Sequence, residues 1–159
     1  MPTAPLLDFS TIDLTRTAAT HAEIYRLLKQ SGSFALLDGI LHFDPSTPLV
    51  VGFKEIRAED WWARDHIPGR PLFPGALMIE TAAQLCAWDY MKRSELAPDV
   101  FVGFGGLENT RFRGIVEPGR RMIFAGEVKR IRSRMFTYAA QGFVDGCLVF
   151  ETDVLGVVV

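Results

Sequence analysis

One carboxylate stands alone in the most apolar part of this chain. Between Arg70 and Asp89 the only charged residue is Glu80, and Gln84, four positions on, shares its face if the stretch is helical. Fourteen residues before Glu80 comes His66, in a segment where Pro68, Pro71 and Pro74 recur at every third position. An imidazole near neutrality can take a proton, and a carboxyl group kept from water can give one. Each residue also has a plainer reading. Glu80 could be a structural group hydrogen-bonded to backbone or paired with Arg70, because a buried carboxylate is costly to keep ionised and must pair, protonate or react. His66 could be an ordinary polar loop residue. Their company favours chemistry: a rigid loop delivers a base to the mouth of a helix whose sole charge is an acid.

The elements that must position this pair follow from the spacing. Three prolines forbid helix until the last of them, and Pro74-Gly75 suits a helix start. The pattern predicts a helix over 74–91, about 27 Å long. Ala76, Leu77, Met78, Ile79, Ala82, Ala83, Leu85, Cys86, Ala87 and Trp88 surround its axis, so it is expected to be buried on most faces. Upstream, 1–15 reads as an extended arm. Thr20-His-Ala-Glu23 has capping-box spacing and opens a short amphipathic helix over 20–31 on Ile24, Leu27 and Leu28, stopped by Ser31-Gly32. SFALLDGILHF and PLVVGFKEI, separated by DPSTP, read as a hairpin. After Pro98 come strand runs: VFVGFGGLE, TRFRGIV, RMIFAGEVKRI, MFTYAAQGFV and CLVFETDVLGVVV, the last two joined by the turn signal Asp145-Gly146. The whole of 1–159 reads as one α+β domain with antiparallel strands on both sides of a central helix.

Composition bounds the rest. At 159 residues, 48% hydrophobic and 23% charged, the chain fits a soluble globular domain and excludes disordered, collagen-like and disulfide-scaffold classes. It has no apolar run of ~20 residues and no leader-like start, so no membrane partner and a cytoplasmic location are expected. Two distant cysteines, Cys86 and Cys147, and three histidines leave little material for a metal site, and none is expected. The net charge of −2 conceals an asymmetry. From Arg111 to Arg134 eight basic residues face only Glu117 and Glu127, a net +6 that leaves −8 elsewhere. These charges could simply be solvated strand faces, or they could dock an acidic partner. Without a compact basic run or finger motif, nucleic acid is not expected.

His66, Pro68, Gly69, Pro71, Pro74, Gly75, Leu77, Glu80, Ala83 and Gln84 fall without a gap on H-F-P-G-x-P-x-x-P-G-x-L-x-x-E-x-x-A-Q. The stretch resembles the signature of the 3-hydroxyacyl-[acyl-carrier-protein] dehydratases, and weaker similarity, including RFRGIVEPG, runs from about Glu23 onward. The resemblance implies a hotdog fold, with a six-stranded antiparallel sheet around one long helix. It implies a homodimer, or a trimer of such dimers, with an acyl tunnel at the dimer interface. Glu at position 80 resembles the dehydratase-only branch, which converts (3R)-3-hydroxyacyl carriers to trans-2-enoyl carriers in fatty acid or related acyl synthesis. His66 would be the base and Glu80 the acid, each active site being shared between chains. Gly75, Gln84, Pro74 and Ile67 would contact substrate, with the Gly75 N–H on the thioester oxygen. The partner would be an acidic acyl carrier protein, docked by Arg111, Arg113, Arg130, Arg132 and Arg134. No cofactor is implied, because the thioester itself acidifies the α-proton. The sequence departs from the pattern at Ile67 for Phe, at Arg64-Asp65 before the histidine, at Arg120 after Pro-Gly, and at KQSGSF, which replaces the family's Pro-His-Arg-x-Pro. A hotdog thioesterase and a non-catalytic acyl-carrier-binding subunit are the alternative readings, separable by their products.

Overall fold

The computed structural model describes residues 3–159 and is organised by its central helix. Pro74 ends the proline-spaced loop in extended conformation, and α3 (Gly75–Arg93) then runs for 19 residues, two past the expected end. Lys92 and Arg93 in its last turn suit the negative end of the helix dipole. Seven antiparallel strands wrap it: β1 (Ala19–Thr20), β2 (Gly39–Phe43), β3 (Leu49–Glu55), β4 (Val102–Phe112), β5 (Arg121–Ile131), β6 (Met135–Val144) and β7 (Cys147–Val158), in the order β1-β2-β3-β5-β6-β7-β4. This is the hotdog arrangement, six long strands plus the two-residue β1 at one edge.

Alternation on the strands makes two apolar layers. On the inner face Leu77, Ala82, Leu85 and Cys86 of α3 pack with Ile40, Val50, Phe124, Phe136 and Phe150 of the sheet. The outer face is covered by the N-terminal segment, where Leu7 is buried with Leu41, Val51, Ile123, Ala125 and Phe143. Buried Gln141 fastens that segment, its side chain accepting from the Leu6 N–H at 2.7 Å and donating to the Ala4 carbonyl at 3.1 Å. Residues 3–15 have neither helix nor strand but lie packed on the sheet with turns at Asp8–Thr11 and Asp13–Arg16, where the sequence reading had an extended arm over 1–15, and residues 1 and 2 lie outside the described residues.

Three elements differ from the sequence reading. The first helix is α1 (His21–Leu27), opened by the reciprocal Thr20–Glu23 capping box but shorter than 20–31. Leu28 turns extended and sinks into the core, and Lys29 reaches the Pro98 carbonyl, so tertiary contact ends the helix a turn early. The runs around Asn109 form one strand, β4, because β7 is long enough to pair with both. Asn109 is absorbed as a bulge with φ +51°, a conformation Asn tolerates better than most residues. A short helix, α2 (Trp61–Asp65), precedes His66 and carried no periodic signal.

Two features lock α3 to the sheet. Gly156 of β7 lies opposite Phe136 of β6, and a Cβ there would sit 2.0 Å from the Phe136 ring, which packs on Tyr90 and Tyr138. At the helix's far end, fully buried Asp89 accepts hydrogen bonds from Arg93 and from the Tyr138 hydroxyl. Burial pushes the Asp89 carboxyl above its usual range, against the pull of those two donors. Among the described residues no helix is long and apolar enough to cross a membrane.

Tyr138→Phe is expected to cost about 1.5–3 kcal/mol at neutral pH, the range for a hydrogen bond to a charged group. The phenol donor favours the ionised carboxylate, so its removal raises the Asp89 pKa further and the loss shrinks as acid protonates Asp89. Urea unfolding of both proteins across pH measures it; a loss that grows in acid contradicts the assignment.

Candidate functional site

The histidine is placed by the short helix and the proline loop together. The His66 N–H closes α2 by donating to the Trp62 carbonyl at 2.9 Å, and Trp62 packs edge-on against Phe73 at the loop's other end. Between them the chain turns through Gly69 at φ +82°, and Phe73 N–H donates to the Val116 carbonyl. This curl brings the Leu72 carbonyl to 2.9 Å from His66 Nδ1. A carbonyl only accepts, so Nδ1 carries a hydrogen, and in the neutral ring Nε2 is then the acceptor nitrogen. His66 is exposed, and Asp65 beside it is engaged by Arg64 through two hydrogen bonds of 2.9 and 3.1 Å. The imidazole therefore has an orientation set by backbone, with Nε2 making no hydrogen bond among the described residues.

Glu80 and Gln84 meet as their spacing predicts: Gln84 Nε2 donates to Glu80 Oε1 at 2.9 Å. The same amide donates to the Phe34 carbonyl at 2.9 Å, and its oxygen accepts from the Tyr25 hydroxyl at 2.6 Å and the Leu36 N–H at 3.3 Å. Two donors and two acceptor sites are all a Gln amide has, so buried Gln84 is saturated. It holds Glu80 in place and also lines the cavity beside it. Tyr25 in turn accepts from the Leu37 N–H at 2.8 Å, and burial pushes its phenol well above the ordinary range.

Glu80 is half-buried, less than its apolar neighbours suggest, and is not paired with Arg70. It is the one charged group lining a cavity of about 180 Å³ whose other walls include Ala87, Phe101, Phe104, Phe136 and Gly156. Gly75 lies on the same helix, about 7.5 Å along the axis from Glu80. A Cβ on Gly75 would come within 2.7 Å of the Phe112 ring, so glycine lets β4 close over the helix start. Pro74 is buried and offers no side-chain cap, so the N–H groups of Gly75 and Ala76 keep the unpaired status of a helix's first turn.

His66 and Ile67 are not among the cavity's lining residues; both are exposed on the proline loop. A single chain thus brings Glu80, Gln84 and Gly75 onto one helix and leaves His66 outside. The basic stretch is divided as well. Arg130, Arg132 and Arg134 crowd the tip of the β5–β6 hairpin, where Met135 pairs with Val157 and Val157 with Gly103. Arg111 and Arg113 lie at the other end of β4, about 25 Å away along the strand. Arg113 is bound by Glu151 through two hydrogen bonds, whereas no carboxylate pairs with Arg111, Arg130, Arg132 or Arg134 among the described residues. Tyr25, Phe34 and Leu36, which hold Gln84, were invisible to sequence reading because their partner is about fifty to sixty positions away.

Residues 28–153 match the family model described as a FabA-like domain. A Campylobacter jejuni protein named 3-hydroxyacyl-[acyl-carrier-protein] dehydratase FabZ is 31% identical over 140 residues, covering 86% of this chain and 95% of its own length. The protein of the same name from Nitrosospira multiformis is 32% identical over 135 residues, covering 84% and 92%. Among solved structures, the dehydratase heterocomplex ApeI:P from Xenorhabdus doucetiae is similar at a TM-score of 0.73 and 13% identity over 86% of this chain and 90% of that one, a likeness of fold.

Replacing Gln84 by Leu leaves the Leu36 N–H, the Phe34 carbonyl and the Tyr25 hydroxyl without their partner. A loss of at least about 1–3 kcal/mol is expected, together with faster hydrogen exchange at Leu36. Unchanged exchange there would show that the amide does not hold this junction.

Proposed function

Because the chain belongs to the FabA-like family of hotdog dehydratases, we propose that it removes water from (3R)-3-hydroxyacyl groups carried on acyl carrier protein, giving the trans-2-enoyl thioester. The observation that carries this reading is a lone, amide-oriented carboxylate on the wall of an apolar cavity, downstream of an uncapped helix start. His66 Nε2 takes the C2 proton, and the electron pair moves toward the thioester oxygen. The Gly75 N–H, at the positive end of α3, stabilises that oxygen. Glu80, protonated, gives its proton to the C3 hydroxyl, the C–O bond breaks, and water leaves as the C2–C3 double bond forms. Proton return from His66 to Glu80 restores the site. These steps call on side chains and backbone alone.

The reading includes a homodimer whose sites are shared. Its support is the state of the single chain: His66 lies outside the Glu80 cavity, and the β4 edge with its flanks leaves Phe101, Phe104, Leu107, Phe112 and Ile115 exposed. A second copy against that edge would cover these side chains and keep water from the Glu80 wall. Antiparallel pairing of two β4 edges would also lay the Arg111 end of one copy beside the partner's β5–β6 hairpin, rejoining the divided basic patch. That patch is the proposed dock for the acidic carrier.

His66→Ala and Glu80→Gln are each expected to lower turnover by ~10²–10⁴-fold. Co-refolding inactive His66→Ala with inactive Glu80→Ala chains should restore activity, since half the sites in each mixed dimer carry neither lesion. Mixed dimers as inactive as their parents would place the site within one chain. Appearance of the conjugated enoyl thioester marks a dehydratase, release of free thiol a thioesterase, and carrier binding without either a non-catalytic subunit.

Single Ala substitutions at Arg111, Arg130, Arg132 and Arg134 should raise KM for carrier-linked substrate with little change in kcat, and added salt should act likewise. Arg113→Ala should act more through stability, because Glu151 already occupies that guanidinium. Equal KM values for wild type and the first four variants would remove this surface from docking.

A further inference from the structure

The residues of α3 that line the cavity beside Glu80 fall on one stripe. Glu80, Ala83, Gln84 and Ala87 stand at i, i+3, i+4 and i+7, so the cavity is a trough that follows the helix from the carboxylate toward its C-terminal end. Alanine at 83 and 87 keeps the trough open, and both residues are partly exposed. Three residues beyond Ala87 the stripe is blocked. Tyr90 is buried there, and its ring centroid lies 4.5 Å from that of Phe136, which lines the cavity. Phe136 therefore stands at the end of the trough away from Glu80. It is held from three sides. The Tyr90 hydroxyl is tethered to the carbonyls of Arg132 and Ser133 at 3.3 and 3.2 Å, and Tyr138, edge-on to Phe136, is tethered to Asp89. The tip of the Phe136 ring rests over Gly156, where any side chain would collide with it.

From Glu80 to Ala87 the trough runs about 10 Å along the helix axis. An extended chain gains about 1.2 Å per bond, the rate at which a polypeptide spans its three bonds per residue. With C3 of an acyl chain held at Glu80, about eight further carbons reach the end of the trough. Additional carbons must displace tethered rings or stay in water. We propose that Phe136, backed by Tyr90, is the stop that sets acyl-chain length, so that the substrates are short and medium 3-hydroxyacyl thioesters, with 3-hydroxydecanoyl the longest of the even series that fits. This inference rests on the dehydratase reading for the chain that occupies the trough, and its test separates the two.

The probes are saturated carrier-linked 3-hydroxyacyl chains in even steps from butyryl to hexadecanoyl. In wild type kcat/KM should rise by up to about fourfold per methylene buried, peak at octanoyl or decanoyl, and drop by on the order of tenfold or more at tetradecanoyl. Ala87→Leu fills the far end of the trough and should move the peak to a shorter chain; Ala87→Met serves if the Leu variant does not fold. Phe136→Leu removes the outer part of the ring and should move the peak to a longer chain. Shifts in opposite directions are not produced by a general loss of stability. A wild-type rate that is flat or still rising at hexadecanoyl, or a peak that no folded variant moves, overturns the proposal and leaves the dehydratase reading standing. Affinities for amide-linked pantetheine analogues of the same chains cover the opposite case. A length cut-off in binding that Ala87→Leu shortens, without dehydration of any chain, supports the stop at Phe136 and removes the dehydratase reading. Neither binding nor turnover of any chain overturns both.

Discussion

A helix apolar on nearly every face cannot rest on a sheet as an ordinary amphipathic helix does, and the rest of this domain follows from that constraint. α3 buries residues around most of its circumference, so the sheet must curve around it and α1 must close the remaining side. The curvature calls for close approaches where large side chains face the helix, and Gly156 and Gly75 provide them, one yielding its place to Phe136 and the other to Phe112. The sheet's outer face would then be bare, and the N-terminal segment covers it through Leu7 and the Gln141 hydrogen bonds.

Polar groups inside such a core must be paired, and this protein uses the requirement to set direction. At one end of α3, Asp89 ties the helix to Tyr138 of β6 and to Arg93, whose guanidinium also lies over the Phe43 ring. Near the middle, Gln84 joins α1 through Tyr25 and the turn between α1 and β2 through Phe34 and Leu36, with its last donor on Glu80. A carboxylate held in this way has a fixed orientation without being neutralised by a cation. Had Arg70 paired with Glu80, the group would have been a structural ion.

The single chain nevertheless presents an unfinished surface. Exposed aromatic residues on and beside β4 flank the cavity wall, and His66 stands apart from Glu80 on a loop whose own hydrogen bonds already orient it. Its tautomer is settled locally by the Leu72 carbonyl, so the free nitrogen needs only to be brought to a substrate. An oriented imidazole and an oriented carboxylate on separate rigid supports suit the proposed assembly by docking of two surfaces rather than by folding of a loop.

Local periodicity and backbone rules were enough to read the long helix, its start at Pro74-Gly75, the Thr20–Glu23 cap, the Asp145-Gly146 hairpin and the shared face of Glu80 and Gln84. Each depends on residues a few positions apart, where sterics and 3.6-residue spacing decide the outcome. The motif from His66 to Gln84 was legible through its gap-free resemblance to the dehydratase signature. Contacts between distant segments were not. Whether α1 ended at Leu27 or ran to 31 depended on where Leu28 could be buried, and whether the runs around Asn109 were one strand or two depended on the length of β7. The saturation of Gln84, the half-exposure of Glu80 and the division of the basic stretch between the two ends of β4 arise only when strands pair in register around the helix. The sequence by itself determined which groups could do chemistry. The tertiary structure decided which of them were free to do it, because hydrogen-bonding capacity is used up by whatever partner folding brings within reach.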